Sequence, residues 1–255
     1  LFLNKENKTM KNLLYILLFT TQALFAQDAF DKGNAQFKQG RYEEAAASYE
    51  SILKGNEESA EVYFNLGNTY YKLGKTAPAI YNYEKALLLD PGNKDIEVNL
   101  GYANDLVTDN IEPVAKVGFA GMMDSIAGNY HYDTWAWTAV LAAFIAVGFF
   151  AGYYFSGSAR VKRLMFVGMS LSVIILITGL VSAFFVKSVA ESEHPAIVFS
   201  AMAQVKAEPT AASPETFLLH EGVKVYVTQT KGTWKQVRLP DESVGWIDAS
   251  AIKEL

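Results

Sequence analysis

Three glycines, Gly33, Gly67 and Gly101, stand 34 residues apart, and Gly40/Gly74, Asn34/Asn68, Ala45/Ala79 and Tyr49/Tyr83 keep the same interval. A fixed period of this length constrains the fold more than any other feature of the chain. Each period is one supersecondary unit, a helical hairpin that hides its apolar face only by stacking on a neighbouring copy. The clearest unit runs from Ala60 to Asn93, AEVYFNLGNTYYKLGKTAPAIYNYEKALLLDPGN. Gly67 and Ala79 are small where two helices must cross closely, and Tyr63, Leu66, Tyr70 and Tyr83 fill the space around the crossing. Gly74 closes the first helix, and Pro91 cannot continue the second.

These positions resemble the tetratricopeptide repeat (TPR) family. Leu66, Gly67 and Tyr70 match its first helix, Ala79, Tyr83 and Ala86 its second, and Pro91 its closing proline; Tyr63 stands where the family usually has Trp. The unit from Gln27 to Ser59 keeps Gly33, Gly40, Tyr42, Ala45 and Tyr49. It has Lys32 in place of Leu and lacks the proline, as a terminal, solvent-facing repeat does. Asp95 to Leu106 reads as the first helix of a third unit, with Leu100 and Gly101 in place, before the pattern breaks at Pro113. This lone helix is expected to cap the stack.

The resemblance implies a groove lined by the first helix of each unit. Carried over, the lining is Phe30, Asn34, Phe37 and Lys38, then Phe64, Asn68, Tyr71 and Lys72, then Val98 and Tyr102, with Asn65 and Asn99 at the edge. Asparagines suit a peptide backbone and aromatics suit its side chains. The plainer role of Asn34 and Asn68 is to cap and space helices. Members that clamp a C-terminal carboxylate use additional lysines and an arginine. Phe30, Asp95 and Asn99 stand at those places, so a charged tail is not the expected ligand.

Residues 10–26, MKNLLYILLFTTQALFA, read as a secretory signal peptide: Lys11 at the start, an apolar Leu13–Phe19 core, and Ala26 before the cut. Leu24 is larger than the ideal residue there. A retained anchor fits less well, because the apolar run is short. The mature chain is expected to start at Gln27. The sequence has no Cys, so it offers no disulfide, thiol redox chemistry or Cys-ligated metal. Two further runs, 135–155 and 164–186, contain no ionisable residue, and each exceeds the ~20 residues that span a bilayer. Between them, 156–163 carries Arg160, Lys162 and Arg163 with no acid, the mark of a cytoplasmic loop. Both flanking domains are then expected outside, as the leader also requires. Gly148/Gly152 and Gly179/Ala183 have small-residue spacing that lets helices approach, most simply within the hairpin. In the connecting segment 112–134, Ala115, Phe119, Met122, Ile126 and Tyr130 recur at helical spacing, as in a helix lying on the outer leaflet.

The last 60 or so residues alternate as strands do, at Val223, Val225 and Val227. The order HEGVKVYV, TWKQVRL, VGWI resembles a bacterial SH3-like domain, carried by Gly222, Trp234, Val237, Gly245, Trp246 and Ile252. Trp246 is assigned to its core. Tyr226 and Trp234, with the loop around Pro209 and Pro214, form its expected contact surface.

The expected fold is therefore a multidomain membrane protein. It has a leader (1–26), an all-α TPR stack (27–111), an interfacial linker (112–134), a two-helix transmembrane hairpin (135–155 and 164–186), a linker (187–195) and a C-terminal all-β SH3-like barrel (196–255). This order of parts resembles the BatE-type proteins of the bacterial aerotolerance operon, most closely in DIEVNLGYANDLVTDNIEP and in FLLHEGVKVYV…GWIDAS. That resemblance implies an envelope complex with von Willebrand factor A-type membrane proteins and a link to oxygen or stress tolerance.

His131, His194 and His220 fall in separate segments without a metal-ligand spacing, and neither a P-loop nor GxSxG occurs. No cofactor, metal or catalytic residue is assigned, and the chain is not expected to be an enzyme. A net charge of -5 and an extracytoplasmic placement argue against nucleic acid. Three readings stand: a scaffold that binds envelope proteins, a peptidoglycan-binding anchor that recruits a wall enzyme, and a hydrolase with unrecognised residues. The near-balance of charge in the tail and its short tether to the bilayer favour protein over wall polymer.

Overall fold

The computed structural model describes residues 28–55 and 58–255. The leader-like segment 10–26 lies outside the described residues. Five helices make up the N-terminal stack: α1 over 28–38, α2 (Tyr42–Lys54), α3 (Ala60–Lys72), α4 (Thr76–Leu89) and α5 (Lys94–Asn104). Gly40 and Gly74 take φ of 75° and 69° at the ends of α1 and α3, a conformation that favours glycine. Asn93 caps α5, its side chain accepting from the backbone N–H of Asp95 and Ile96.

The 34-residue period is a packing period. A Cβ on Gly33 would stand 2.6 Å from the ring of Tyr49, and one on Gly67 2.7 Å from the ring of Tyr83. Both rings are 1% exposed and have nowhere to move. A Cβ on Gly101 would meet nothing within 4 Å. Val117, one period beyond Tyr83, is exposed, and no second helix packs on α5 there. The third unit is a single helix, as the sequence implies.

The C-terminal residues form an antiparallel sheet of seven strands, consistent with the SH3-like domain. They are β1 (Pro195–Val198), β2 (Met202–Lys206), β3 (Glu215–His220), β4 (Lys224–Lys231), β5 (Trp234–Arg238), β6 (Val244–Asp248) and β7 (Ile252–Glu254), in spatial order β3-β2-β6-β5-β4-β1-β7. Val198, Val205, Leu219, Val225, Val237 and Ile247 point inward and form its core.

This sheet docks on the stack. The middle of α4, residues 79–84, is buried on every side: Ala79 and Tyr83, with Ala86 a turn further on, lie among the other helices, while Ile80, Tyr81 and Glu84 meet the sheet domain. Ile197 of β1 belongs to the core of the stack, and Phe199 sets its ring edge-on to Tyr81 at 5.8 Å. Lys224 Nζ donates to Glu84 Oε2 at 2.6 Å. The segment after α5 is strapped along the sheet. Val107 and Ile111 pack on the sheet core, Asp109 accepts from the backbone N–H of His220 at 2.6 Å and pairs with its ring at 2.9 Å, and Val114 N–H donates to Pro240 O.

A second unit is helical: α6 (Gly118–Ala127), α7 (Tyr132–Phe155) and α8 (Ala159–Ser192). Helices α7 and α8 form an antiparallel hairpin, and both are long and apolar enough to cross a membrane. Their contact is made of small residues. Gly179 lies against Ala139, Gly168 against the ring of Phe149 and Gly152 against Met165, whereas Gly148 faces open space. The expected spacing thus serves the hairpin itself, through Gly152 and Gly179 and not through Gly148.

Several boundaries differ from the sequence expectation. The first helix of the hairpin begins at Tyr132, and the turn shrinks from 156–163 to 156–158, so Arg160, Lys162 and Arg163 lie in the opening turns of α8. The run 164–186 is part of a 34-residue helix that continues through most of the expected linker 187–195. Nothing in Lys187–Ser192 breaks a helix: it contains neither Gly nor Pro. The segment 112–134 contains α6, and strand β1 starts at Pro195 rather than at 196.

Two glycines one period apart are expected to respond oppositely to alanine. At Gly67 the added Cβ overpacks an immobile ring, which costs about 1–3 kcal/mol. At Gly101 the methyl enters solvent and helix propensity gains about 0.5–1 kcal/mol. Thermal unfolding of the full chain should show a lower Tm for Gly67→Ala and an unchanged or higher one for Gly101→Ala.

Candidate binding groove and sheet face

The first helices α1, α3 and α5 present one face away from the sheet, and the expected lining residues lie on them. A hydrogen-bonded ladder repeats along this face. Asn34 Oδ1 accepts from Tyr49 Oη at 2.6 Å and from Asn65 Nδ2 at 3.2 Å. One period later, Asn68 Oδ1 accepts from Tyr83 Oη at 2.8 Å and from Asn99 Nδ2 at 2.7 Å. A carboxamide oxygen has two lone pairs, and both are filled in each case. Asn34 and Asn68 therefore join neighbouring helices through their oxygens, while their Nδ2 groups make no hydrogen bond among the described residues. Asn65 and Asn99 keep their own carbonyl oxygens as acceptors.

The aromatic positions divide into braces and surfaces. Phe30 packs on Tyr49 and Phe64 on Tyr83, each with ring centroids 6.0 Å apart, and Phe37 meets Tyr42 edge-on at 5.3 Å. Tyr71 is half-buried, and Lys38 and Lys72 are exposed. Val98 and Tyr102 on α5 are 52% and 57% exposed, large apolar area with no further helix over it. The groove thus offers amide donors in its floor, apolar area at the α5 end, and lysines at the ends of α1 and α3.

Behind the floor lies a set of buried phenols. Burial, followed by the nearby Glu61 carboxylate, pushes Tyr49 up to about 12. Tyr63 and Tyr70 are raised by burial and by donating to Glu58 and Glu50. Tyr83 is raised by burial and then by Tyr71, and Tyr81 by burial and then by Glu58. For Lys224, burial works to lower the ammonium, but Glu84, Tyr226 and Glu193 together outweigh it and the group is raised overall.

On the sheet, the pleat sorts the residues. Val237 and Gly245 pair across β5 and β6 on the inner face. A Cβ on Gly245 would stand 2.3 Å from Val205 Cγ1, so glycine is what lets β2 cross there. Trp246, the next residue, must point the other way. It is half-buried on the outer face, paired with Gln236 of β5 and Lys206 of β2, which corrects its assignment to the core. Trp234 lies on the same outer face, 6.0 Å from the Lys206 ammonium. Tyr226 lies there too, with the Arg238 guanidinium 5.1 Å from its ring centroid. The strict alternation of VGWID carries this signal in the sequence, since Trp246 cannot share a face with Ile247. The contacts of Glu84 and Asp109 were not legible. Their partners lie 140 and 111 residues further along the chain, and no local pattern marks them.

Comparison with known proteins agrees with this division. Residues 33–74 match a TPR repeat model, and residues 60–93 match a tetratricopeptide repeat model. Residues 187–253 match the GW (Gly-Tryp) dipeptide domain, within which Gly245–Trp246 is the dipeptide. No curated protein matches the chain. The chain therefore combines TPR repeats, a GW domain of SH3-like type and two apolar helices, an arrangement suited to binding proteins or cell-wall material.

The buried phenols predict alkaline sensitivity. An unfolded tyrosine releases its proton near pH 10, whereas the folded Tyr49 holds it to about 12. The folded state then binds more protons than the unfolded one above pH 10. The stability contributed by Tyr49 is complete below pH 10 and lost as pH rises to about 12. The Tm should fall across that window, and Tyr49→Phe should flatten the fall while lowering stability at neutral pH through loss of the Asn34 bond.

Proposed function

We propose that the chain is a membrane-anchored scaffold of the cell envelope whose TPR groove holds a segment of another envelope protein. The observation that carries this is the position of the sheet. It covers the back of α4 and leaves the Asn34 and Asn68 Nδ2 donors, Val98 and Tyr102 open on the opposite side. A neutral extended or helical segment suits these groups, its backbone carbonyls accepting from the amides and its apolar side chains lying on α5. The chain carries no catalytic chemistry of its own in this reading. The resemblance to the BatE type supports a role in a stress- or oxygen-related complex, with von Willebrand factor A-type membrane proteins as candidate partners.

The test must spare the ladder. Asn68→Ala would strand the Tyr83 hydroxyl, whereas Asn68→Asp keeps an acceptor for both bonds and replaces the free donor with a charged acceptor oxygen. Cross-linking in native membranes from a photoreactive residue at Tyr102 should capture a discrete partner. Asn68→Asp with Tyr71→Ala should reduce capture at least tenfold while thermal unfolding still shows one cooperative transition. Undiminished capture by the folded double variant would rule the groove out.

Both soluble domains face the periplasm in this proposal. The structure puts the stack and sheet at one end of the hairpin and Arg160, Lys162 and Arg163 at the other, and basic residues favour the cytoplasmic side. Because the sequence lacks Cys, single cysteines report cleanly. In intact spheroplasts a membrane-impermeant maleimide should label Glu221→Cys and not Gly157→Cys; the reverse pattern would refute the orientation.

The outer sheet face supports a second reading, a peptidoglycan-binding anchor. Trp234, Trp246 and Tyr226 offer ring faces beside Lys206 and Arg238, a surface on which an anionic glycan stacks and pairs. Sedimentation of the detergent-solubilised full chain with purified peptidoglycan separates the two readings. The scaffold predicts that the chain stays in the supernatant. Pelleting that is lost on Trp234→Ala would favour the anchor.

A further inference from the structure

Where the hairpin meets the docked domains, a cavity of about 430 Å³ opens between the end of α4, the end of α6, the last turns of α8 and strands β1 and β4. One wall is apolar. Phe185, Val186 and Val189 line it from α8, directly continuous with the apolar run 164–186. The position is fixed independently by α6. Its Met123 and Ala127 are buried, and Trp135 Nε1 donates to Ala127 O at 3.2 Å, which ties α6 to the same end of the hairpin. The opposite side of α6 exposes Phe119, Met122 and Ile126, with Tyr130 just beyond it. In a bilayer-spanning hairpin this places the cavity at the boundary between acyl chains and headgroups.

The charge at its mouth is unbalanced. Lys224 is the only lysine among the residues that line the cavity; its ammonium donates to Glu84 and lies within electrostatic reach of Glu193 as well. Asp124 and Glu193 line the cavity and share only Lys116, at 3.6 and 3.9 Å, beyond hydrogen-bond length and half-exposed. Exposed pairs of that kind are weak and exchange readily. Two carboxylates with unfilled acceptor sites, set above an apolar wall, suit a primary ammonium that donates to both. A quaternary ammonium has no proton to donate, and a headgroup whose only charge is its phosphate would meet like charge with no ammonium to offset it.

We propose that this cavity binds one phospholipid with a primary-ammonium headgroup, phosphatidylethanolamine, with its ammonium on Asp124 and Glu193 and an acyl chain along Phe185, Val186 and Val189. The proposal rests on the hairpin crossing a membrane, as in the function proposed above. The bound lipid would fill the joint between the hairpin and the two docked domains, and so fix how the groove is presented above the bilayer.

The test uses the full chain in lipid nanodiscs carrying a trace of photoactivatable phospholipid with an ethanolamine, choline or glycerol headgroup. Labelling of the peptide containing Val189 is read against labelling at Phe144, which faces outward from the hairpin at 74% exposure. The ethanolamine probe should label the cavity peptide at least fivefold more than the other two, while all three label Phe144 equally. Asp124→Asn with Glu193→Gln, two surface changes that leave the apolar packing intact, should bring the three probes to parity. Val189→Trp should abolish cavity labelling by filling the wall. Equal labelling by all headgroups in the unmodified chain, or labelling at Phe144 without any in the cavity, would overturn the inference and leave the membrane reading standing. Absence of labelling at both places would overturn the two together.

Discussion

Helix α4 carries the architecture. A helix whose middle is buried on every side has to be enclosed there, and two different partners enclose this one. The ring of Tyr83 closes against Gly67 on one side. On the other side Tyr81 meets Phe199 and the Lys253 ammonium 4.0 Å above its ring, and Glu84 meets Lys224. The Glu84 side chain is 11% exposed and that of Lys224 32%. Leaving one member of a fully buried pair uncompensated costs about 3–5 kcal/mol, and less where one partner stays partly wet as Lys224 does. The pair therefore resists separation of the sheet from the stack more than it adds to the stability of either.

That docking decides what remains open. With the sheet behind α4, the faces of α1, α3 and α5 are free, and the asparagine ladder along them is already half used. Its oxygens hold the helices together and its amide donors remain. Under the proposed function the same residues serve packing and recognition, so a substitution that removes the whole side chain reads both roles at once. The single helix of the third unit leaves Val98 and Tyr102 uncovered, which a complete hairpin would not.

Two connections, one long but pinned and one of two residues, hold the stack and sheet to the hairpin. The segment after α5 is pinned by Val107, Ile111 and the Asp109–His220 contact, and only Glu193 and His194 separate α8 from β1. Such tethers permit little independent motion of the soluble body. Packing inside the hairpin relies on Gly152, Gly168 and Gly179, and its outward surface is large and apolar, Phe144 and Phe184 each being 74% exposed. In water such a surface would be a liability, whereas in lipid it is the ordinary solvent-facing side.

By itself the sequence determined everything that depends on local spacing. The 34-residue period gave the hairpins and their crossing points. The uncharged runs gave the two long helices, and the alternation of Val223, Val225 and Val227 gave the inner face of a sheet. These signals are periodic, and periodicity reflects backbone geometry that each segment carries alone. The tertiary structure decided the rest. The alternation of VGWID puts Trp246 on the opposite face from Gly245 and Ile247, and the close approach of Val205 to Gly245 decided which of the two faces is the inner one. The tertiary structure extended α8 through the expected linker, because continuous helix costs nothing without a breaker. It joined Glu84 to Lys224 and Asp109 to His220, because two surfaces more than a hundred residues apart in the chain were each incomplete without the other, and no pattern along a chain records a complementarity that exists only after both surfaces have folded.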